Sequence, residues 1–129
     1  ILSEGAHKPG AGPELVEAAN GSPVPLLPGA VTSSEIMAAL EDGYSLLKFF
    51  PAEQAGGAAY LKSLSSPFGA VRFCPTGGVS PDNVESYLSL PNVLCAGGSW
   101  VAPKKLIDAQ DWVGIEALAR AAAQSGKAG

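Results

Sequence analysis

The stretch SLLKFFPAE, residues 45–53, reads as a buried strand with a lysine near its end. Apolar side chains flank Lys48 on both sides, and Pro51 ends the run because proline has no N–H to give to a strand ladder. Phe49 and Phe50 are expected to point to opposite faces, since side chains alternate along a strand. The stretch therefore predicts a strand that is covered on both faces, as in a parallel sheet between helices, with Lys48 close to its carboxyl end.

Three further apolar runs resemble this one, and each run is followed by a stretch with helical signals. The runs are PVPLLPG (23–29), AVRFCPTGG (70–78) and NVLCAGGSW (92–100). A regular alternation of strand and helix predicts an α/β protein with parallel βα units. About four strands fit either an open doubly wound sheet or part of a (β/α)₈ barrel, which takes about 250 residues when complete. The pattern alone leaves both architectures open.

Capping residues predict where the helices begin. Thr32 with Glu35 has the pattern of a capping box. Ser80 is a candidate N-cap followed by Pro81 at the first helical position, and Asp111 is a candidate cap of the last helix. The predicted helices cover about residues 13–20, 32–42, 56–64, 80–87 and 112–126.

The composition is typical of a globular protein, and we expect a single domain over residues 1–129. Residues 1–8 are expected to form an irregular N-terminus. Apolar residues make up 47% of the 129 residues and charged residues 16%. The net charge is −4 and no basic cluster exceeds the pair Lys104 and Lys105, so no nucleic-acid partner is expected. No apolar run approaches the ~20 residues of a membrane helix, and the first residues do not resemble a signal peptide.

The residues that commonly bind metals are few and scattered. No Cys/His set has metal-ligand spacing, so no metal is expected, and His7 is expected to be solvated. Cys74 and Cys95 lie in apolar segments, where we expect reduced thiols that fill the core of a cytoplasmic protein. Trp100 and Trp112 are expected to pack in the core or in an interface.

Paired glycines follow the third and fourth predicted strands. They occur in PTGG, residues 75–78, and in GGSW, residues 97–100. In either architecture a ligand binds at the carboxyl ends of the strands, where these turns meet. Glycine lets backbone N–H groups approach an anion, and the Thr76 and Ser99 hydroxyls add donors, so the two turns predict a phosphate site. The alternative interpretation is that the glycines only make tight turns.

Lys48 is the candidate nucleophile. Desolvation in an apolar strand disfavours the ammonium form, so we expect the pKa of Lys48 to fall. A neutral amine can form a Schiff base with a ketone or an aldehyde. The alternative is a lysine of an edge strand that extends its charge into solvent. Glu53 follows the strand and is a candidate acid or base, although a carboxylate in the first turn of a helix is also an ordinary cap.

Three segments in this order, KFFPAE (48–53), VRFCPTGG (71–78) and LCAGGSW (94–100), resemble the bacterial 2-keto-3-deoxy-6-phosphogluconate (KDPG) aldolases. The segment PLLPGAVTSSEIMAALEDG (25–43) adds to the resemblance, which covers about residues 9–125. It implies a (β/α)₈ fold of the TIM-barrel type and a cytoplasmic homotrimer without a cofactor. It also implies a class I lyase of the Entner–Doudoroff pathway, which cleaves a phosphorylated keto acid to pyruvate and glyceraldehyde 3-phosphate.

The same resemblance assigns roles to individual residues. Lys48 matches the Schiff-base lysine, which condenses with the C2 ketone before the C3–C4 bond breaks. Phe50 and Thr76 match residues at the pyruvate end of the site. The residues that match the substrate phosphate site are Gly77, Gly78, Gly98 and Ser99.

The resemblance extends only to the second half of the family's barrel. The early strands, which carry a proton-shuttling glutamate and a carboxylate-binding arginine, have no match, and Lys8-Pro9-Gly10 stands where the family has Ser-Pro-Gly. We therefore expect a half barrel of about four strands. The sheet edges near residues 24–27 and 93–96 would be exposed, so we expect a marginally stable or self-associating chain. The inward side chains that would lack an opposing layer are Leu26, Phe50, Phe73 and Leu94, or their neighbours.

Two alternatives to an active KDPG aldolase follow from these departures. The first is a catalytically impaired half barrel that binds phosphate without turnover. The second is a related aldolase that acts on the phosphogalactonate epimer or on 4-hydroxy-2-oxoglutarate.

Overall fold

A computed structural model describes residues 2–3 and 26–126, where short parallel strands alternate with helices. None of the helices in this part of the chain is long and apolar enough to cross a membrane. The strands are β1 (Leu2–Ser3), β2 (Leu26–Leu27), β3 (Leu46–Phe49) and β4 (Arg72–Pro75). The helices are α1 (Ser33–Glu41), α2 (Gly57–Leu64), α3 (Val84–Leu88), α4 (Lys104–Asp108) and α5 (Trp112–Ala122), and Ser99–Val101 forms a turn of 3₁₀ helix.

The described strands lie side by side in chain order and pair in parallel. β1 pairs with β2, and β3 pairs with β4. A bridge between Gly29 and Lys48 joins β2 to β3, and a bridge between Phe73 and Val93 extends the sheet beyond β4. A doubly wound sheet reverses its strand order at a switch point, whereas a (β/α)₈ barrel does not. The described strands therefore form an arc of the barrel type, with the helices on one side.

Helices α1, α2 and α3 cover one face of this arc. Leu47, Phe49 and Phe73 are fully buried on that face. The alternate residues Lys48 and Cys74 are half-buried on the opposite face, which would be the interior of a closed barrel. The predicted covering of both faces is therefore wrong for β3 and β4, whereas in β2 both Leu26 and Leu27 are buried, although Leu26 was expected to lack an opposing layer. The helical side chains that pack in the core are Ile36 and Ala39 of α1, Leu61 and Leu64 of α2, and Val84 and Tyr87 of α3.

The side chains expected to point inward differ in their exposure. Phe50 is 38% exposed and Leu94 is 63% exposed, as expected for side chains without an opposing layer. Of Phe73 and its neighbours, Cys74 is the inward residue, because it stands opposite Lys48 in the register, while Phe73 stands opposite Leu47 and is buried among the helices.

The predicted strand over residues 92–100 is wrong beyond a single bridge. Leu94 donates its N–H to the Phe73 carbonyl at 3.0 Å, but the next bond of the ladder runs from the Gly97 N–H to the Pro75 carbonyl, also at 3.0 Å. A regular parallel ladder would use the residue before Gly97, so one extra residue is inserted, as in a β-bulge. Pro75 also lacks an N–H with which to continue the ladder.

Local capping signals predicted the starts of α1 and α5 correctly. The Thr32 hydroxyl accepts a hydrogen bond from the Glu35 N–H at 3.3 Å, and the Glu35 carboxylate accepts one from the Thr32 N–H at 2.8 Å. The Asp111 carboxylate caps α5 by accepting from the Gly114 N–H at 2.9 Å. Burial acts to raise the pKa of Glu35, but the backbone hydrogen bonds from Thr32 and Val31 outweigh it and lower that pKa.

The predicted start of α3 at Ser80 is wrong, because α3 begins at Val84 after the N-cap residue Asn83. The Asn83 side-chain oxygen accepts from the Ser80 N–H at 2.8 Å, and its amide donates to the Gly78 carbonyl at 3.0 Å. These two bonds hold residues 80–83 in a turn, so the regular helix starts after it.

The sequence predicts an irregular N-terminus over residues 1–8, whereas Leu2 and Ser3 form β1. They stand in parallel register with Leu26 and Leu27. The remainder of the segment 1–8 and the helix predicted over residues 13–20 lie outside the described residues.

Candidate functional site

An open cleft of about 920 Å³ lies at the carboxyl ends of β3 and β4. Ligands of parallel α/β proteins bind at this edge, because the strand-to-helix turns meet there. The cleft brings together Lys48 and the residues predicted for the pyruvate and phosphate ends of the site, but not Glu53. Its lining consists of Lys48 and Phe50, the run from Thr76 to Ser80, the run from Gly97 to Trp100, and the pair Pro103 and Lys104.

Lys48 is held in the interior of the sheet. Its N–H donates to the Pro28 carbonyl at 2.8 Å, its carbonyl accepts from the Ala30 N–H at 3.0 Å, and Cys74 lies opposite on β4. The side chain is half-buried, and its Nζ lies 5.3 Å from the centroid of the Phe50 ring, within the range of a cation–π interaction. The alternative of an edge-strand lysine is therefore wrong, because Lys48 pairs with Gly29 on one edge of β3 and with Cys74 of β4 on the other.

The Cys74 thiol lies near Lys48 and beside the Cys95 thiol, and both thiols are free. Burial raises the pKa of Cys74 to about 12, the neighbouring Cys95 thiol adds to this rise, and the positive charge of Lys48 opposes it. Cys74 is therefore a neutral thiol at physiological pH. The prediction that both cysteines fill the core is wrong for Cys95, which is exposed beside the bulge.

Thr76 brings an unpaired hydroxyl to the cleft. Its Oγ1 is buried, and within the described part of the chain no group forms a hydrogen bond with it. The backbone is fixed, because the Thr76 N–H donates to the Phe49 carbonyl at 2.9 Å and the Thr76 carbonyl accepts from the Ala52 N–H at 2.8 Å. A buried hydroxyl without a partner costs free energy, which a polar ligand atom would recover.

Gly77 and Gly78 are required by the packing of the turn itself. Their φ angles are +91° and +76°, a region that other residues avoid. A Cβ at Gly77 would lie 2.8 Å from the Phe50 ring, and a Cβ at Gly78 would lie 2.6 Å from Glu53 Cγ. Both glycines are therefore needed to make this tight turn. It is compatible with anion binding, because no described residue accepts a hydrogen bond from either N–H.

Gly97 and Gly98 differ in what their N–H groups can do. The Gly97 N–H is used in the sheet, where it donates to the Pro75 carbonyl at 3.0 Å. The Gly98 N–H has no acceptor among the described residues, and a Cβ at Gly98 would collide with the Trp100 ring. Ser99, which follows, is exposed at the start of the 3₁₀ turn. Gly98 and Ser99 are thus the residues of this turn that can reach a ligand.

Glu53 does not line the cleft. Its carboxylate accepts a hydrogen bond from the Tyr87 hydroxyl, and its N–H donates to the Gly77 carbonyl at 3.1 Å. Burial raises the pKa of Tyr87, and the hydrogen bond to Glu53 raises it further. Glu53 therefore connects the turn after β4 to α3. The interpretation of Glu53 as a cap in the first turn of α2 is wrong, because α2 begins at Gly57.

Several lining residues were not predicted for the site, namely Val79, Ser80, Pro103 and Lys104. For Pro103 and Lys104 the sequence shows only that they follow the second glycine pair closely in the chain. Trp100 packs against the hydrophobic core as predicted and lines the cleft as well. His7 lies outside the described residues, and among those described no group of His, Cys, Asp and Glu is placed to hold a metal ion.

The family model "KDPG and KHG aldolase" matches residues 4–118 of this chain. The 2-dehydro-3-deoxy-phosphogluconate aldolase of Pseudomonas aeruginosa is 53% identical over 114 residues, which are 88% of this chain and 52% of that protein. The KHG/KDPG aldolase of Escherichia coli K12 is 46% identical over 122 residues, 95% of this chain and 57% of that protein.

A solved structure shares the arrangement of the strands and helices. The KDPG aldolase of Legionella pneumophila, with pyruvate captured at low pH as a covalent carbinolamine intermediate, has a TM-score of 0.80 and 47% identity. The match covers 88% of this chain and 55% of that chain. The fold is therefore α/β of the TIM-barrel type, and this chain spans about half the length of the relatives that it matches. The chain belongs to the KDPG and KHG aldolase family.

Proposed function

We propose that this chain supplies the carboxyl-terminal half of a class I aldolase that cleaves KDPG to pyruvate and glyceraldehyde 3-phosphate. The observation that carries the proposal is that Lys48 and the two glycine turns line one cleft. The pyruvate of the Legionella pneumophila structure is a covalent carbinolamine. A carbinolamine is the adduct that an amine forms with a ketone before water leaves to give a Schiff base.

Lys48 is the nucleophile of this reaction. Its neutral amine adds to the C2 ketone, and loss of water gives an iminium ion. The C3–C4 bond then breaks, its electron pair moves toward the iminium nitrogen, and the C4 hydroxyl loses its proton as glyceraldehyde 3-phosphate forms. Protonation of the resulting enamine and hydrolysis release pyruvate and restore the amine.

The two ends of the substrate bind at different parts of the cleft. Phe50 and Thr76 lie at the pyruvate end, where the buried Thr76 hydroxyl has no partner among the described residues. The phosphate binds at the glycine turns. The groups that contact it are the N–H groups of Gly77, Gly78 and Gly98, which no described residue engages, and the exposed Ser99.

The described lining of the cleft contains no carboxylate that could move the proton of the C4 hydroxyl. A positioned acid or base contributes about 10²–10⁴-fold to such a step. The chain by itself is therefore expected to form the Schiff base but to cleave the substrate slowly.

A second candidate substrate is 4-hydroxy-2-oxoglutarate. The name of the Escherichia coli relative includes KHG as well as KDPG, and this relative is 46% identical to the chain. That substrate carries a carboxylate where KDPG carries its phosphate-bearing end. The ratio of the two cleavage rates therefore reports how strongly the glycine turns select phosphate.

The test is the release of pyruvate from KDPG by the chain and by its Lys48→Arg variant, which keeps the charge and loses the nucleophile. Lys62→Arg is the matched control, because Lys62 lies exposed on α2, away from the cleft. We expect slow release from the chain and from Lys62→Arg, and none from Lys48→Arg. Equal release with and without Lys48 would overturn the proposal. Binding of KDPG by the chain with no release and no covalent adduct would favour the catalytically impaired half barrel.

The assembly and the location belong to the same proposal. Val113, Leu94 and Trp112 are 79%, 63% and 61% exposed, and such apolar side chains support a homo-oligomer, for which the family resemblance implies a trimer. The cytoplasmic location is supported by the free thiols of Cys74 and Cys95.

A further inference from the structure

Lys104 is a second lysine in the lining of the cleft. It stands at the start of α4, a few residues after Gly98 and Ser99, which line the same cleft. Its Nζ is hydrogen-bonded to both carboxylate oxygens of Asp108, at 2.8 and 2.7 Å. The Lys104 and Asp108 side chains are 85% and 58% exposed. A cation therefore lies beside the turn whose Gly98 N–H has no acceptor among the described residues.

The ion pair between Lys104 and Asp108 is easily exchanged. Solvent screens exposed pairs of this kind, and holding two long side chains in one geometry costs entropy. A phosphate group carries more negative charge than a carboxylate and offers three acceptor oxygens. The flexible lysine side chain can turn from Asp108 to an anion in the cleft without a change in the backbone.

We propose that Lys104 exchanges Asp108 for the phosphate group of the ligand, so that Asp108 sets how tightly the cleft binds phosphorylated molecules. The inference rests on the proposed function, and it adds a residue pair that determines specificity at the phosphate end. Lys48 then serves the keto end and Lys104 the phosphate end. Asp108 competes with the ligand for the same ammonium group.

The competing interpretation is that the pair only stabilises α4, as many i,i+4 pairs do. The two interpretations predict different effects on phosphate binding. If the pair is structural, replacing either partner breaks the same contact, so both replacements change phosphate binding in the same direction. If Asp108 competes with the ligand, the loss of Lys104 weakens phosphate binding and the loss of Asp108 strengthens it.

The experiment is a titration of the chain with glycerol 3-phosphate, followed by the amide resonances of Gly77, Gly78 and Gly98, with glycerol as the uncharged comparison. Lys104→Gln is expected to weaken binding on the order of tenfold, as for loss of a charged hydrogen bond. Asp108→Asn is expected to tighten it by about threefold, because a screened competitor is removed. Lys105→Gln, which removes a charge next in the chain but outside the cleft lining, is expected to change binding by less than about twofold.

Shifts in the same direction for Lys104→Gln and Asp108→Asn would overturn the inference. So would a Lys104→Gln effect equal to that of Lys105→Gln, or the absence of binding by the unmodified chain. The proposed function is tested separately, by covalent trapping of pyruvate on Lys48 in the unmodified chain. If trapping fails while the opposite shifts are observed, the aldolase proposal fails and the phosphate-binding role of Lys104 stands.

Discussion

Lys48 of β3 and Cys74 of β4 stand opposite each other in the parallel register, on the face of the sheet that the helices leave uncovered. Their neighbours Leu47 and Phe73 stand opposite each other on the covered face and are fully buried. Because successive side chains of a strand alternate between its faces, the polar side chains lie on one face of the sheet and the side chains of the core lie on the other. A shift of either strand by one residue would exchange the two faces.

The two thiols are expected to differ in their reactivity toward iodoacetamide. The thiolate is the reacting form, and burial raises the pKa of Cys74 to about 12, so little thiolate forms there at mildly alkaline pH. Cys95 is exposed and is expected to be alkylated first, as read by peptide mass over time. Because the Cys95 thiol adds to the rise, Cys95→Ser is expected to speed the reaction of Cys74. Equal alkylation rates at the two sites in the unmodified chain would contradict this prediction.

Gly77→Ala is expected to destabilise the fold by about 1–2 kcal/mol, because φ at this position is +91° and a Cβ would lie 2.8 Å from the Phe50 ring. Gly69→Ala is the matched control, since a Cβ there would lie 3.8 Å from the nearest atom, the Ser65 carbonyl oxygen. That change is expected to be neutral or slightly stabilising. Urea unfolding of the two variants and the parent chain gives the comparison. If Gly69→Ala lowered the free energy of unfolding as much as Gly77→Ala, this would argue against the geometry of the turn at Gly77.

Glu35 is expected to make stability depend on pH at the acid end. Burial acts to raise the pKa of Glu35, yet hydrogen bonds from the Thr32 and Val31 N–H groups lower it below the ordinary value. A carboxylate with a lowered folded pKa contributes stability above its unfolded pKa, and this contribution is lost as the pH falls through the folded pKa. Glu35→Gln is therefore expected to lower the free energy of unfolding by about 1 kcal/mol near neutral pH and by less in acid, as measured by urea unfolding. An equal decrease at both pH values would show that the charge of Glu35 is not involved.

The chain is expected to self-associate at the exposed edge of its sheet. Leu94 lies there beside the last bridge of the sheet and is 63% exposed. Exposed sheet edges recruit other chains, and a lysine on such an edge opposes pairing. Leu94→Lys is expected to weaken association, as measured by sedimentation over a range of concentrations, while Met37→Lys on α1, at a residue that is 51% exposed, serves as the control. A parent chain that stays monomeric at all concentrations would contradict the expectation.

Local signals predicted the starts of α1 and α5 correctly, but they misplaced the start of α3, missed α4 and predicted the last strand poorly. The capping box of Thr32 and Glu35 depends on residues close in the chain, so the sequence alone is sufficient to identify it. The strand over residues 92–100 failed because its neighbour β4 ends in Pro75, which has no N–H, and because one extra residue is inserted before Gly97. Neither the neighbour nor the insertion is visible in the apolar pattern.

The candidate site could likewise be predicted only in part from the sequence. Lys48 and the glycine turns could be placed together because parallel strands bring their carboxyl ends to one edge. The faces were harder to assign: the sequence left open whether Phe73 or a neighbour points inward, and only the register with β3 shows that it is Cys74. Lys104 could not be found from its sequence, because its place in the cleft depends on the path of the chain after the 3₁₀ turn.

The most direct test of the central claim is reduction with borohydride in the presence of pyruvate, followed by peptide mass analysis of the folded chain. We expect one reduced pyruvate adduct on the peptide that carries Lys48, and none on that peptide in Lys48→Arg. The peptide with the exposed Lys62 provides the internal control. An unmodified Lys48 in folded chain, or an adduct spread equally over the exposed lysines, would contradict the account.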